Sequence, residues 1–386
     1  MNQNADTSTE AIYRTNSGQD EQIPALTGLR AVAALLIVVL HSWNGVHAAN
    51  CLPLERLLRP ALALWCGVDL FFVLSGFLLT GKLLRSVGDK KYLRNFYAAR
   101  CFRIMPLYYL VLLTALFIGF CTRSLNVGDI YSFFGMMFFM TNFLPFVWNL
   151  SQHIGIVPMQ HFWSLALEEH FYLLWPHAVK FLEARKLMNF CAIIMVCELV
   201  VRSLAVWQKV SLDAIYELSF FRFDSIAAGA IVACLYQLTK NSQRALRTSH
   251  FVLIPFLCGT FLMTAITHLF KANPFVETVG YSILAITFAS VIADIVFSRG
   301  RSLIGRFCSN PVLLFFGKRS YAIYLIHLPL ITLVNRLLVT FGLNTNPALV
   351  LILGLVLPLV MTIVLSMMAW HLIEKPCQKL KVKYSC

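Results

Sequence analysis

Apolar runs of about twenty residues recur along almost the whole chain, broken by short polar or basic stretches. Eleven can be drawn, near residues 28–47, 61–84, 104–121, 127–147, 161–180, 188–207, 218–236, 250–270, 278–298, 311–337 and 348–372. A helix needs about 20 mostly apolar residues to cross a bilayer core, so the pattern predicts an all-α fold, a polytopic bundle of membrane helices. The stretch Ile23–Trp43 sets the type: a polar, proline-marked entry leads into a hydrophobic helix carrying Arg30 near one end and His41 near the other.

Lysine and arginine orient the runs, because cytoplasmic loops carry their excess. The loop after the second run holds Lys82, Arg85, Lys90, Lys91, Arg94, Arg100 and Arg103, which places it and the N-terminus in the cytoplasm. Later clusters are Lys180/Arg185/Lys186, Lys240/Arg244/Arg247, Arg299/Arg301/Arg306 with Lys318/Arg319, and Lys375/Lys379/Lys381/Lys383. All of them face the cytoplasm only if one run between 104 and 180 does not cross. The weakest is 127–147, flanked by Asp129 and Pro145 and followed by Gln152, His153 and Gln160. The reading is ten full spans, both termini cytoplasmic, and 127–147 as a re-entrant or interfacial helix. The domains are a disordered cytoplasmic tail (1–22), a membrane domain (23–376) and a basic cytoplasmic tail (377–386).

Composition strengthens this picture. The chain is 59% hydrophobic and 13% charged, more apolar surface than a soluble domain of this length tolerates. The formal charge of +14 belongs to cytoplasmic loops and does not argue for nucleic acid as a partner. The 11 cysteines are scattered, many inside apolar runs, without metal-ligand spacing; they read as small hydrophobes, and no metal is expected. Residues 1–22 hold no hydrophobic segment, so no cleavable signal peptide is read there.

Candidate chemistry comes from the ionisable groups inside the runs, where function is the default hypothesis. Arg30 and His41 are eleven residues apart, about 16 Å along a helix and on nearly the same face. The same topology brings Asp69, Glu168, Glu169, Arg222, Asp224 and His327 to the outer half of the bundle and Ser75 near its middle. Isolated ions there are unfavourable, so they must pair or line a polar cavity. The blander readings stay open: Arg30 as an interfacial anchor, Glu168 paired with Arg222, Asp69 paired with a neighbouring helix, and Ser75–Gly76 as a close-packing pair. His153, His161 and His170 are placed at or near the outer surface, in exposed or interfacial roles.

The motifs, taken in order, resemble the membrane-bound acyltransferase-3 family. They are LTGLRAVAAL with the Arg30–His41 pair, GVDLFFVLSGFLL (67–79), RCFRIMPLYYL (100–110), WSLALEEHFYLLWP (163–176), FRFDSIAAGA (221–230), FFGKRSYAIYLIHLPL (315–330) and HLIEKP (371–376). The resemblance implies an integral, multi-pass enzyme of a bacterial inner membrane. Such an enzyme moves an acyl group, most often acetyl, to a hydroxyl of a sugar or related acceptor. The chain reads as a stand-alone member without a C-terminal SGNH-type domain.

Acyl transfer from a thioester to an alcohol needs a base for the hydroxyl proton and a group to stabilise the oxyanion. His41 is the expected general base, with Glu168 or Asp69 orienting its imidazole. Arg100 and Arg103, three apart at the start of a helix and joined by Arg30, are expected to hold the phosphates of acyl-CoA. Ordinary positive-inside anchoring is the alternative for that pair. Ser75, Trp163, Arg222, Asp224, Tyr321 and His327 are expected around the acceptor cavity. Acetyl-CoA enters as the donor substrate and no cofactor is held tightly. The partners are acyl-CoA, a glycan or lipid-linked sugar acceptor, and the bilayer. The rival from another class is a proton-coupled secondary transporter, against which the absence of an inverted repeat counts. Reporter fusions test the topology: a junction at Lys90 is expected to report cytoplasm, and one at Gln152 the exterior.

Overall fold

A computed structural model describes residues 23–47, 59–239, 242–267, 273–343 and 350–384. The expected tail over 1–22 and Lys240 lie outside the described residues. The chain begins with α1 (Pro24–His47), followed by a 3-10 segment (Arg59–Cys66), α2 (Gly67–Ser86) and α3 (Tyr92–Cys121). Two short helices, α4 (Val127–Met137) and α5 (Leu144–Val147), then lead to a two-stranded hairpin, β1 (His153–Ile154) and β2 (Val157–Pro158). The bundle continues with α6 (Phe162–Phe181), α7 (Ala184–Trp207), α8 (Leu212–Glu217), α9 (Phe223–Leu238), α10 (Ser242–Thr267) and α11 (Tyr281–Phe297). It closes with α12 (Leu303–Cys308), α13 (Pro311–Gly317), α14 (Ser320–Thr340), α15 (Leu357–Ala369) and α16 (Lys375–Tyr384).

Among the described residues, eight helices are long and apolar enough to cross a membrane. Two of the ten expected spans fall short of that standard although both sit in the bundle. One is α6, whose hydropathy is lowered by Glu168, Glu169, His170 and His177. The other is α9, with only 16 residues. The run 311–337 is not one helix but two, because the chain turns at Lys318–Arg319 between α13 and α14. The run 127–147 also breaks, into helices of 11 and 4 residues. At 1.5 Å per residue the longer covers about half the hydrocarbon thickness and cannot cross. Asn126 and Asp129 cap each other at its start, which fixes where it begins.

The helix expected to start at 104 starts at Tyr92 instead and runs for 30 residues. Arg100 and Arg103 are therefore more than two turns inside α3, whose first-turn N–H groups lie elsewhere. An anion site built on that helix N-terminus is corrected to one built on side chains alone.

Helices α2 and α9 cross in close backbone contact. A Cβ on Gly76 would fall inside the contact distance of the Ile226 carbonyl oxygen, and one on Gly229 inside that of the Val73 carbonyl. Backbones can approach so closely only where both helices lack a side chain. Gly76→Ala and Gly229→Ala are each expected to cost about 1–3 kcal/mol by overpacking. Thermal unfolding in detergent checks this, with Gly88→Ala, which meets nothing within 4 Å, expected to leave stability unchanged.

Candidate active site

Beside that crossing sits a buried ionic core. Arg222 and Asp69 have no exposed surface, and the Arg222 Nη2 donates to Asp69 Oδ1 at 2.5 Å. Ser225 Oγ donates to the same carboxylate oxygen at 3.1 Å. The Arg222 Nε and Nη1 have no hydrogen-bond partner among the described residues; the Tyr281 ring, 3.8 Å from the guanidinium carbon, faces them instead. A second buried arginine, Arg202 of α7, donates to Asp224 at 2.7 Å and to the Phe221 carbonyl and Ser282 at 2.7 Å each. Glu198, one turn before it, accepts the backbone N–H groups of Phe223 and Asp224 at 2.9 Å each, which caps α9 from outside.

A second group lines the interior of α1, α2, α3 and α6. Glu168 accepts from Ser75 Oγ at 2.7 Å and from Tyr172 Oη at 2.8 Å. The Arg100 guanidinium lies 4.4 Å from the centre of the Tyr172 ring. Arg30, Arg100 and Arg103 are within electrostatic reach of one another and of Glu168. Their side chains make no ion pair or hydrogen bond among the described residues. Glu374, in the π-helical turn Trp370–Glu374, stands near Arg103 and Arg319 with one carboxylate oxygen buried and unpartnered. The result is a part-buried cluster of guanidinium groups with few carboxylates to neutralise it, which suits a polyanionic guest.

A third group gathers at the far end of α1. His41 Nδ1 lies 2.9 Å from His327 Nε2, and His327 Nδ1 lies 2.6 Å from the Tyr324 carbonyl oxygen. The His161 ring stands edge-on to His327, with centroids 5.2 Å apart. Ser164 and Tyr324 share a hydrogen bond at 2.5 Å, and the Tyr324 hydroxyl donates to the His161 carbonyl at 3.0 Å. His41 is half-buried whereas His327 is fully enclosed, so His41 is the more accessible imidazole of the pair. Outside the spans, His153 sits in the hairpin, where burial and then Arg336 hold its imidazole below the usual range against the opposing pull of Asp129.

Several expectations need correction. Asp69 does not orient His41; it balances Arg222, because a buried guanidinium demands the nearest carboxylate. The Glu168–Arg222 pair is not formed, and Glu168 neighbours the arginine cluster instead of His41. Glu168 is within electrostatic reach of Arg30 and Arg103, and residues 161–167 at the start of α6 are all buried, so that helix begins inside the protein. For the same reason His161 is an interior group, 3% exposed. Trp163, Arg222 and Asp224 are closed off from any acceptor: Trp163 packs edge-on against Phe72 and beside Tyr216, and the two charged residues are enclosed in the ionic core. Tyr321 donates to the Ile104 carbonyl at 2.8 Å, tying α14 to α3.

Tyr172, Tyr324 and His161 were missed from the sequence as site residues. A signal existed for Tyr172, which lies one helical turn after Glu168 and so shares its face. A separate apolar cavity of about 310 Å³, between α3, α14 and α15, includes none of these residues. Arg336 is the one charged side chain lining it among the described residues.

The fold and the site together define a polytopic helical membrane protein with a cationic cluster at one end of its first helix and paired imidazoles at the other. The family model described as an acyltransferase domain matches residues 23–367, and the chain belongs to that acyltransferase-3 family. It is 28% identical over 374 residues to YrhL of Bacillus subtilis strain 168, whose name assigns it provisionally to peptidoglycan O-acetylation; the match covers 92% of this chain and 54% of that protein. It is also 28% identical over 373 residues to the O-acetyltransferase OatA of Staphylococcus aureus strain NCTC 8325, covering 92% and 57%. The chain thus spans a little over half the length of these relatives. No solved structure matches it.

Removing Asp69 tests the ionic core. Asp69→Ala leaves the Arg222 charge buried without its partner and is expected to cost about 3–5 kcal/mol. Thermal unfolding of the purified protein reads this loss, and Asp69→Asn, which keeps an amide oxygen for the guanidinium, is expected to lose less.

Proposed function

We propose that the chain is an integral membrane O-acyltransferase that moves an acyl group, acetyl in the first instance, from acyl-CoA to a sugar hydroxyl. The observation that carries this reading is the placement of two unlike groups on one helix. At one end of α1, Arg30 joins Arg100 and Arg103 in a cluster without ion-pair partners among the described residues. About 16 Å along the same helix, His41 meets His327. The cluster holds the donor's phosphates from the cytoplasmic side, and the thioester arm reaches toward His41. There His41 takes the proton of the acceptor hydroxyl as its oxygen attacks the thioester carbonyl.

The acceptor we favour is a surface polysaccharide, such as a lipopolysaccharide O-chain or an exopolysaccharide, modified at a bacterial inner membrane. The name of YrhL supports a second reading, a peptidoglycan sugar, which asks the same chemistry of the site.

Labelled acetyl-CoA with the purified protein and a glycan acceptor tests the proposal. Release of CoA is expected to depend on acceptor. His41→Ala is expected to lower kcat by about 10²–10⁴-fold. Arg103→Ala is expected to raise KM for acetyl-CoA by about tenfold or more, the value of one charge-assisted hydrogen bond. A folded His41→Ala protein with normal turnover overturns the reading, as does solute uptake without acyl consumption.

A further inference from the structure

The two imidazoles that meet at the end of α1 are not equivalent, and the backbone of α14 decides which does what. Pro329 lies inside that helix and has no N–H, so the carbonyl of Leu325, four residues before it, lacks its helical donor. His161 Nε2 lies 3.0 Å from that oxygen. A carbonyl only accepts, so His161 carries its proton on Nε2. The same rule applies to His327, whose Nδ1 lies 2.6 Å from the Tyr324 carbonyl and must be an N–H. His327 is enclosed and has no carboxylate within hydrogen-bond distance among the described residues, so its ring is neutral. Its Nε2 is then a lone pair, and that lone pair faces His41 Nδ1 at 2.9 Å.

We infer that His327 is a positioning residue: it holds His41 in the tautomer protonated on Nδ1, and so makes Nε2 of His41 the nitrogen that takes the acceptor's proton. The inference rests on the reading of His41 as the general base. Neither other imidazole can take that part. His327 has one nitrogen on a backbone carbonyl and the other on His41, and His161 donates to the Leu325 carbonyl with its remaining nitrogen buried.

The step balances without an outside reagent. The hydroxyl proton passes to His41 Nε2 as the hydroxyl oxygen bonds to the thioester carbonyl carbon. The carbon–sulfur bond then breaks, and the departing thiolate sulfur takes the proton back from Nε2. While His41 carries both protons, its Nδ1–H donates to the His327 lone pair, which shares the positive charge, the part a carboxylate plays in a serine-hydrolase triad.

Two measurements test this. Nitrogen-15 NMR of histidine-labelled protein in liposomes, with His41→Ala to assign the signal, is expected to show His41 protonated on Nδ1 in the unaltered protein. His327→Leu, which removes the acceptor, is expected to lower kcat about 100-fold with KM for acetyl-CoA unchanged. His327→Gln, whose amide oxygen can accept from Nδ1–H, is expected to recover kcat to within about tenfold of normal. His41 found protonated on Nε2, or a His327→Leu protein with normal kcat beside an inactive His41→Ala, overturns the positioning role alone. An active His41→Ala protein overturns the base reading beneath it. The NMR arm reads the tautomer in the unaltered protein, so a His327 variant that fails to fold still leaves a decisive result.

Discussion

A guanidinium enclosed by protein requires a carboxylate, and Arg222 meets Asp69. The two side chains join α9 to α2 at the place where Gly76 and Gly229 let the backbones touch. An ion pair this deep contributes little net stability compared with apolar packing, but breaking it is costly, so it dictates which helices must be neighbours. Arg202, Asp224 and Glu198 extend the same logic to α7, and Glu198 also supplies the cap that lets α9 begin inside the bundle. With α2 held by both devices, Ser75 lies one residue before the crossing and faces α6, where Glu168 accepts its proton.

That frame leaves a line of polar groups along α1 whose character changes with position. Near Arg30 the surroundings are cationic and part-open. Near His41 they are neutral imidazoles and hydroxyls, most of them enclosed. Between them lie Ser75, Glu168 and Tyr172, within reach of the arginines on one side and of Tyr324 on the other. The separation suits a reaction in which a charged handle and a neutral reacting centre belong to the same long substrate. Direct contact between the arginines and the base would instead raise the electrostatic cost of the imidazolium formed during transfer.

The imidazole end depends on a missing proton donor. Pro329 frees a carbonyl that a helix would otherwise use, and His161 occupies it. The adjacent turn presents the Tyr324 carbonyl to His327. The freed Leu325 carbonyl thus sets the hydrogen-bond direction of His161, and the Tyr324 carbonyl in the same turn sets that of His327, which meets a histidine on another helix.

The linear chain by itself determined the class of fold, because twenty-residue apolar runs and clustered lysines and arginines follow from the thickness and solvent of a bilayer. It also determined that 127–147 does not cross as one helix and that Arg30 and His41 share a face, since both depend on periods and lengths within one segment. The tertiary structure alone decided which charged residues brace the core and which remain for chemistry. Asp69, Arg222, Glu168 and Asp224 have the same residue types whether they pair or serve, and pairing depends on which helices touch. Enclosure was decided the same way: residues 161–167 at the start of α6 are buried by neighbouring helices, so His161 is an interior group and not an exposed or interfacial one. The contact of His41 with His327 spans 286 positions and leaves no periodic trace, because a hydrogen bond between helices is set by their packing and not by spacing along either one.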